Sequence, residues 1–335
     1  MKFSAIEATQ RAISKSDIDA SLPESVIISA DVSARVQLAA ATPVLSQLCQ
    51  RIQNENTLQL SSFRLILMAG NLAEAVSPWE QALGRPQMGV SNQPEGVAVA
   101  KKITWGCTQE SARSIIILTD LIAVAAIRGD SVAPTTLAHE LGHVHDEFSR
   151  GVALGFPESH TVPDIRDWPK VRAYIADMAW GEYAAESVGA RYMGPELLNE
   201  CILNDPVHLA GVHGRLRQSI CNYRFHGQDL VSLWSGGITA IGDIFANLGR
   251  ASARLQFAQS PQEALNRLLA PQNGAMSWKP VIERVVHELQ LLGVKRYSEW
   301  EAKPLRGIEE AVAMGFEAVG LFPTHNGSTL HVRVP

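Results

Sequence analysis

The sequence has few cysteines, and none of them lies close enough to another to form a thiol motif. The four are Cys49, Cys107, Cys201 and Cys221, and they contain no Cys-x-x-Cys pair. This spacing argues against a structural zinc site built from thiolates and favours a reducing compartment. We interpret all four as small hydrophobic side chains that are buried in the fold.

Long basic runs and long apolar runs are also missing. The formal net charge is −5, and the longest basic run is Lys101-Lys102, so the chain offers no basic field for nucleic acid. The most apolar stretch, 114–127, contains Asp120 and is shorter than the roughly 20 residues that cross a bilayer. The first residues lack the apolar segment of a signal peptide. We therefore predict no nucleic-acid partner, no membrane segment and a cytoplasmic location.

The most informative stretch of the sequence is His139-Glu140-Leu141-Gly142-His143, which predicts a zinc-binding helix. At about 100° per residue, the two imidazoles lie roughly 40° apart on one helix face, where both can reach a single ion. The apolar and small residues between them indicate a buried helix, in which uncoordinated imidazoles and carboxylates are costly. The alternative interpretation is a chance pattern of hydrogen-bonded core residues.

A hydrolytic zinc site needs a third protein ligand and an open position for water. Asp146 and Ser149 stand where an extended motif requires glycine and a third histidine, so the ligand must come from another segment. Residues 168–193 predict a long helix on which Glu182 and Glu186 share a face. We predict Glu182 as the ligand and Glu186 as the hydrogen-bond acceptor of a ligating histidine. The alternatives are reversed roles, or a pair of exposed carboxylates.

Together these residues resemble the gluzincin group of zinc metallopeptidases, in the thermolysin-like arrangement. The downstream element of that group is usually Glu-x-x-x-Asp, whereas this chain ends it with Glu186. The resemblance covers about residues 112–193. It implies a peptide or protein substrate, Zn²⁺ as cofactor, and Glu140 as the general base that acts on zinc-bound water. The implied zinc ligands are His139, His143 and Glu182.

Two functions of other classes stay open at this point. A binding or regulatory protein can keep a zinc site without turnover, and an iron-dependent oxygenase uses the same ligand types. The glutamate beside the first histidine favours hydrolysis. Three further residues are candidates for stabilising charge on the substrate oxygen: His145, His160 and Tyr183. The sequence does not favour one of them over the others.

We predict an α+β fold, because the sequence indicates several strands in the first half and mainly helices in the second. The chain is long enough for one large or two moderate domains with real cores. Residues 1–200 are predicted to form a zincin-like catalytic domain with a small mixed sheet and the active-site helix. Residues 201–335 are predicted to form a mainly helical subdomain, which the resemblance places as one wall of the cleft. The strand that precedes the zinc-binding helix, 112–118, could lie at an edge of the sheet or in its interior.

The remaining element predictions follow from periodicity and from helix-breaking residues. Strands are predicted over 26–28, 58–68, 97–105 and 330–334, and a loop over 84–96. Helices are predicted over 4–20, 31–53, 71–83 with a break before Trp79 at Pro78, 205–222, 228–258 with a break at Gly236-Gly237, 262–270, 277–292 and 304–318.

Overall fold

A computed structural model gives the fold of most of the chain. It describes residues 27–31, 34–84, 92–93, 96–157, 162–227, 229–270, 278–326 and 329–335. The predicted helix over 4–20 lies outside the described residues. The described part is rich in helix and contains a small mixed sheet, consistent with the predicted α+β class.

A four-stranded mixed sheet, in the order β1-β2-β6-β5, is the centre of the N-terminal part. The strands in chain order are β1 (Ile27–Ala30), β2 (Phe63–Ala69), β3 (Asn92–Gln93), β4 (Gly96–Val97), β5 (Ala100–Trp105), β6 (Arg113–Thr119), β7 (Phe322–Asn326) and β8 (Thr329–Arg333). β1, β2 and β6 run parallel, and β5 is antiparallel to β6. β3 with β4, and β7 with β8, form two separate antiparallel pairs.

The last strand before the helix that carries His139 and His143 is an interior strand. β6 lies between β2 and β5, and its central side chains Ile115, Ile116, Ile117 and Leu118 are all fully buried. They alternate between two hydrophobic clusters on the two faces of the sheet, as expected for a strand that is covered on both sides. Among the described strands, the edge on this side of the sheet is β5.

Long helices cover the sheet and build most of the C-terminal half. The helices in chain order are α1 (Leu38–Asn56), α2 (Leu72–Ala82), α3 (Asp120–Arg128), α4 (Val132–Leu154), α5 (Trp168–Gly189), α6 (Pro195–His226), α7 (Leu230–Arg254), α8 (Pro261–Leu269), α9 (Lys279–Gly293) and α10 (Arg306–Ala318). Short 3₁₀ turns lie at Ala190–Tyr192 and Tyr297–Glu299. Of the helices described, none combines the length and the apolar character that crossing a membrane requires.

Both predicted helix breaks are wrong. α2 continues through Pro78, and Trp79 after it is buried against the sheet. α7 continues through Gly236 and Gly237, and the second of these packs against Leu321. In each case tertiary packing of an apolar face outweighs the local cost of the helix-breaking residue.

The hydrophobic core has separate clusters on the sheet side and on the helical side. α1, α3 and α4 pack on one face of the sheet, and α2 packs on the other. α5, α7, α9 and α10 share the largest cluster. α5 therefore joins the α4 side of the molecule to the helical core. The domain boundary that the sequence predicts at residue 200 stays a prediction.

The prediction for the cysteines is correct only for Cys49, which is buried in α1. Cys201 is half-buried, and Cys107 and Cys221 are exposed. Cys107 lies in the turn after β5, and Cys221 lies on an outer face of α6. The helix and turn geometry at these positions, rather than the apolar character of the thiol, decides their exposure.

Candidate metal centre

The site is built where α4 and α5 approach each other closely. A Cβ atom on Gly142 would lie 2.8 Å from the backbone of Ala185, so a larger residue would push the two helices apart. On either side of this contact, Gly189 lies against His139, and Gly181 lies near the ring of His143. Small residues at the crossing thus bring the two histidines within reach of carboxylates on α5.

His139, His143 and Glu182 form a group that could hold a metal ion. Their ligand atoms all lie within 4.8 Å of one another. Glu182 Oε2 is 3.5 Å from His139 Nε2, and Oε1 is 3.8 Å from His143 Nε2. Two ligand atoms bonded to one tetrahedral zinc ion are roughly 3.4 Å apart, given bonds of about 2.0–2.2 Å. The donor types and the spacing of this group therefore fit a metal ion.

Glu186 lies on the other side of the His139 ring. Its Oε2 is 2.8 Å from His139 Nδ1, and its Oε1 accepts a hydrogen bond of 2.6 Å from Arg254 Nε. Burial raises the pKa of Glu186, but the charge of Arg254 and the hydrogen bond from His139 outweigh it and lower this pKa to about 2. An anionic Glu186 favours the proton on Nδ1 of His139, which directs Nε2 toward Glu182.

The pKa values of the two histidines are shifted in opposite directions. Burial lowers the pKa of His143 to about 3, so its ring is neutral and its Nε2 can coordinate at neutral pH. Burial also acts on His139, but the hydrogen bond and charge of Glu186 outweigh it and raise the pKa of His139. A metal ion therefore competes with a proton at His139 Nε2, which makes metal binding release protons.

Glu182 is held as a carboxylate by the positive charges around it. Burial raises its pKa, but Arg250 and the two histidines outweigh this and lower it. Arg250 Nη1 lies 3.2 Å from Glu182 Oε2. Glu182 faces the Nε2 atoms of His139 and His143, and Glu186 faces Nδ1 of His139. The described geometry therefore favours Glu182 as the metal ligand and Glu186 as the hydrogen-bond partner that orients His139.

Glu140 lies beside this group, and only 8% of it is exposed. It accepts a hydrogen bond from the backbone N–H of Lys102 on β5. Burial raises the pKa of the Glu140 carboxyl, and the charges of His139 and Lys102 offset only part of this rise. A carboxylate with a raised pKa is a better proton acceptor, which is the property that a general base needs.

Three charged residues of the site were not found by sequence reasoning: Arg250, Arg254 and Asp205. Arg254 Nη1 donates to Asp205 Oδ1 at 2.6 Å. Burial raises the pKa of Asp205 to about 6, in spite of the charge of Arg254. The only signal in the sequence is that the two arginines are four residues apart, like the two glutamates that they contact on α5. Nothing local indicates that α7 lies beside α5.

Two of the three candidates for stabilising the substrate oxygen, His145 and Tyr183, have other partners in the fold. His145 is two residues after His143, about 200° around the helix, and its Nδ1 accepts a hydrogen bond from the Gln59 N–H at 2.8 Å. The Tyr183 hydroxyl accepts a hydrogen bond of 2.5 Å from the Gln256 amide. His160 lies outside the described residues.

Replacing Glu186 by glutamine is expected to reduce the acid sensitivity of the metal-free protein. The folded pKa of Glu186 is about 2 against an ordinary 4.5, so its stabilisation is present above pH 4.5 and is lost as the pH falls toward 2. At about 1.4 kcal/mol per unit, the contribution is on the order of 3 kcal/mol. Urea unfolding with chelator at several pH values measures it.

The matched control for this prediction is Glu263→Gln, because Glu263 pairs with Arg267 on an exposed helix face. We expect this variant to unfold like the wild type at every pH. A Glu186→Gln protein whose unfolding free energy has the same dependence on pH as the wild type between pH 4.5 and 2 would contradict the prediction.

Comparison with known proteins adds no family to this description. No family model matches the chain, and no similar protein was found among curated proteins or solved structures. Inferences about function therefore rest on the side chains of the site itself.

Proposed function

We propose that the protein is a zinc-dependent peptidase of the gluzincin type with a zincin-like catalytic lobe. The observation that carries the proposal is the position of Glu140 beside the group formed by His139, His143 and Glu182. A carboxylate next to a group that could hold a metal is in the place where a general base for metal-activated water is needed. Two imidazoles and one carboxylate from protein are a ligand set of catalytic zinc, so zinc is the proposed metal.

Each residue has one task in the proposed reaction. His139, His143 and Glu182 hold the metal, and Glu186 fixes the ring of His139 through Nδ1. When bound, zinc supplies Lewis acidity toward water and toward the scissile carbonyl. Glu140 accepts the proton of the attacking water and then delivers it to the leaving amine.

The edge of the sheet offers a binding mode for an extended peptide. An interior strand cannot pair with a substrate, so β6 is excluded. Among the described strands, β5 is the edge on this side of the sheet, and it takes that role in the proposal. The backbone N–H of Lys102 on β5 donates a hydrogen bond to Glu140. A peptide that adds to β5 by backbone hydrogen bonds would therefore run past the general base and the metal group.

Digestion of a degenerate peptide library by the zinc-loaded protein, with products identified by mass spectrometry, tests the proposal. We expect cleavage that a chelator stops and added zinc restores. A protein that contains zinc but cleaves no peptide would favour the binding or regulatory alternative. Purified protein that contains iron and consumes oxygen would favour the oxygenase.

A further inference from the structure

Arg250 lies next to Glu182, beside the group of residues that could hold a metal. Hydrogen bonds from both terminal nitrogens fix the orientation of its guanidinium. Nη1 donates to Glu182 Oε2 at 3.2 Å, and Nη2 donates to Asn247 Oδ1 at 3.0 Å. The amide of Asn247 in turn donates to the backbone carbonyl of Asp243 at 2.8 Å. The guanidinium is therefore held at the edge of the site by a chain of hydrogen bonds.

Arg250 differs from the other arginine of the site in the number of its carboxylate partners. Arg254 is 12% exposed and donates to both Glu186 and Asp205. Arg250 is 32% exposed, and within the described part of the chain it contacts one carboxylate, Glu182. A guanidinium has five N–H donors, of which the two described bonds use two. Arg250 therefore retains donors and a partly exposed positive charge beside the metal group.

From this arrangement we infer that Arg250 is a catalytic residue that donates a hydrogen bond to the oxyanion of the tetrahedral intermediate. The inference rests on the proposed peptidase function and names the group that stabilises charge there. As the water oxygen bonds to the carbonyl carbon, the π electron pair moves to the carbonyl oxygen and Glu140 takes the proton. Collapse of the intermediate breaks the C–N bond, and the amine leaves with that proton.

The physical reason is the place where negative charge develops. Charge appears on the carbonyl oxygen next to the metal, and a fixed cationic donor there stabilises the transition state more than the ground state. Hydrogen bonds between a guanidinium and an oxyanion are among the strong ones. His145 and Tyr183 have other partners in the fold. Lys102, the other described cation whose charge acts on this group, is 14% exposed and pairs with Glu147. Arg250 is the more exposed of the two, and hydrogen bonds fix its orientation.

Phosphate binding distinguishes this catalytic role of Arg250 from a purely structural one. If Arg250 only holds Glu182 in place, its loss weakens zinc binding and leaves the affinity of the loaded protein for an oxyanion unchanged. If Arg250 binds the oxyanion, the loaded protein loses oxyanion affinity. Inorganic phosphate is a tetrahedral oxyanion that needs no turnover, so it is the probe.

The experiment measures phosphate binding by isothermal titration calorimetry on fully zinc-loaded wild type, Arg250→Gln and Arg250→Lys. We expect Arg250→Gln to lose about tenfold or more in phosphate affinity, the scale of one hydrogen bond to a charged group. Arg250→Lys keeps the charge without the planar fork and should recover part of the loss. With a cleavable peptide, kcat should fall about 10²-fold or more while KM stays nearly constant.

The matched control is Arg267→Gln, which removes one positive charge from an exposed ion pair on α8. Its phosphate affinity should equal that of the wild type. Less than a tenfold loss in Arg250→Gln overturns the inference, as does a loaded wild type that binds no phosphate. A loaded protein that cleaves no peptide overturns the peptidase proposal instead, so the two failures are distinguishable.

Discussion

Replacing Glu140 by glutamine should lower the rate of peptide hydrolysis by about 10²–10⁴-fold while the protein keeps its metal. Glutamine has nearly the same size and can still accept the hydrogen bond from the Lys102 N–H, so the fold around α4 is preserved. It cannot accept the proton of the attacking water. Because Glu140 is not part of the group that could hold the metal, zinc content should stay at the level of the wild type.

The chain contains its own control for this substitution. A second His-Glu pair, His287-Glu288, lies on α9, and Glu288, which is 19% exposed, forms an ion pair with Arg284. Glu288→Gln makes the same chemical change outside the site, and its kcat/KM should equal that of the wild type. Initial rates of peptide hydrolysis and zinc content by elemental analysis, measured on wild type, Glu140→Gln and Glu288→Gln, test the prediction. Undiminished hydrolysis by Glu140→Gln would remove Glu140 from the mechanism.

The part of the site that is local in sequence was predictable. The spacing of His139 and His143 places them on one face of a helix, and the same argument places Glu182 and Glu186 on one face of another. The structure brings these two helices together at a close contact between Gly142 and Ala185. The motif spacing and the helix period together thus identified four of the side chains that the structure brings together, His139, His143, Glu182 and Glu186.

The part that depends on packing between distant helices was not predictable. Arg250 and Arg254 are 68 residues from the glutamates that they contact, and no local pattern links α7 to α5. Without them, the electrostatics of the site would be wrong, because the buried carboxylates would lack the charges that hold their pKa values down. A long-range ion pair needs the fold before it can be recognised.

The errors in the fold have a related cause. Pro78 and the pair Gly236-Gly237 are local signals of a helix break, and both lie within continuous helices. Proline costs a helix about 3 kcal/mol and glycine about 1 kcal/mol. Fully burying one large apolar side chain returns roughly 1.5–3 kcal/mol. Several buried residues on α2 and α7 together exceed the local cost, so tertiary contacts decide where these helices end.

Removing a ligand should have the largest effect on the metal itself. We expect about one zinc per chain in the wild type, and almost none in His143→Ala or Glu182→Ala purified without added metal. Losing a hydrogen-bond partner of a ligand typically costs 10–100-fold in metal affinity, and losing the ligand itself should cost more. Elemental analysis, with circular dichroism to verify the fold, measures both effects.

Glu186→Ala is the matched variant, because Glu186 is on the same helix, is also a carboxylate, and contacts His139 through Nδ1 rather than Nε2. It should retain zinc at high metal concentration with an affinity about 10–100-fold below that of the wild type. If Glu186→Ala loses all zinc while Glu182→Ala keeps it, the two glutamates have exchanged roles. If neither substitution changes metal content, these carboxylates do not bind the ion, and the peptidase proposal loses its third ligand.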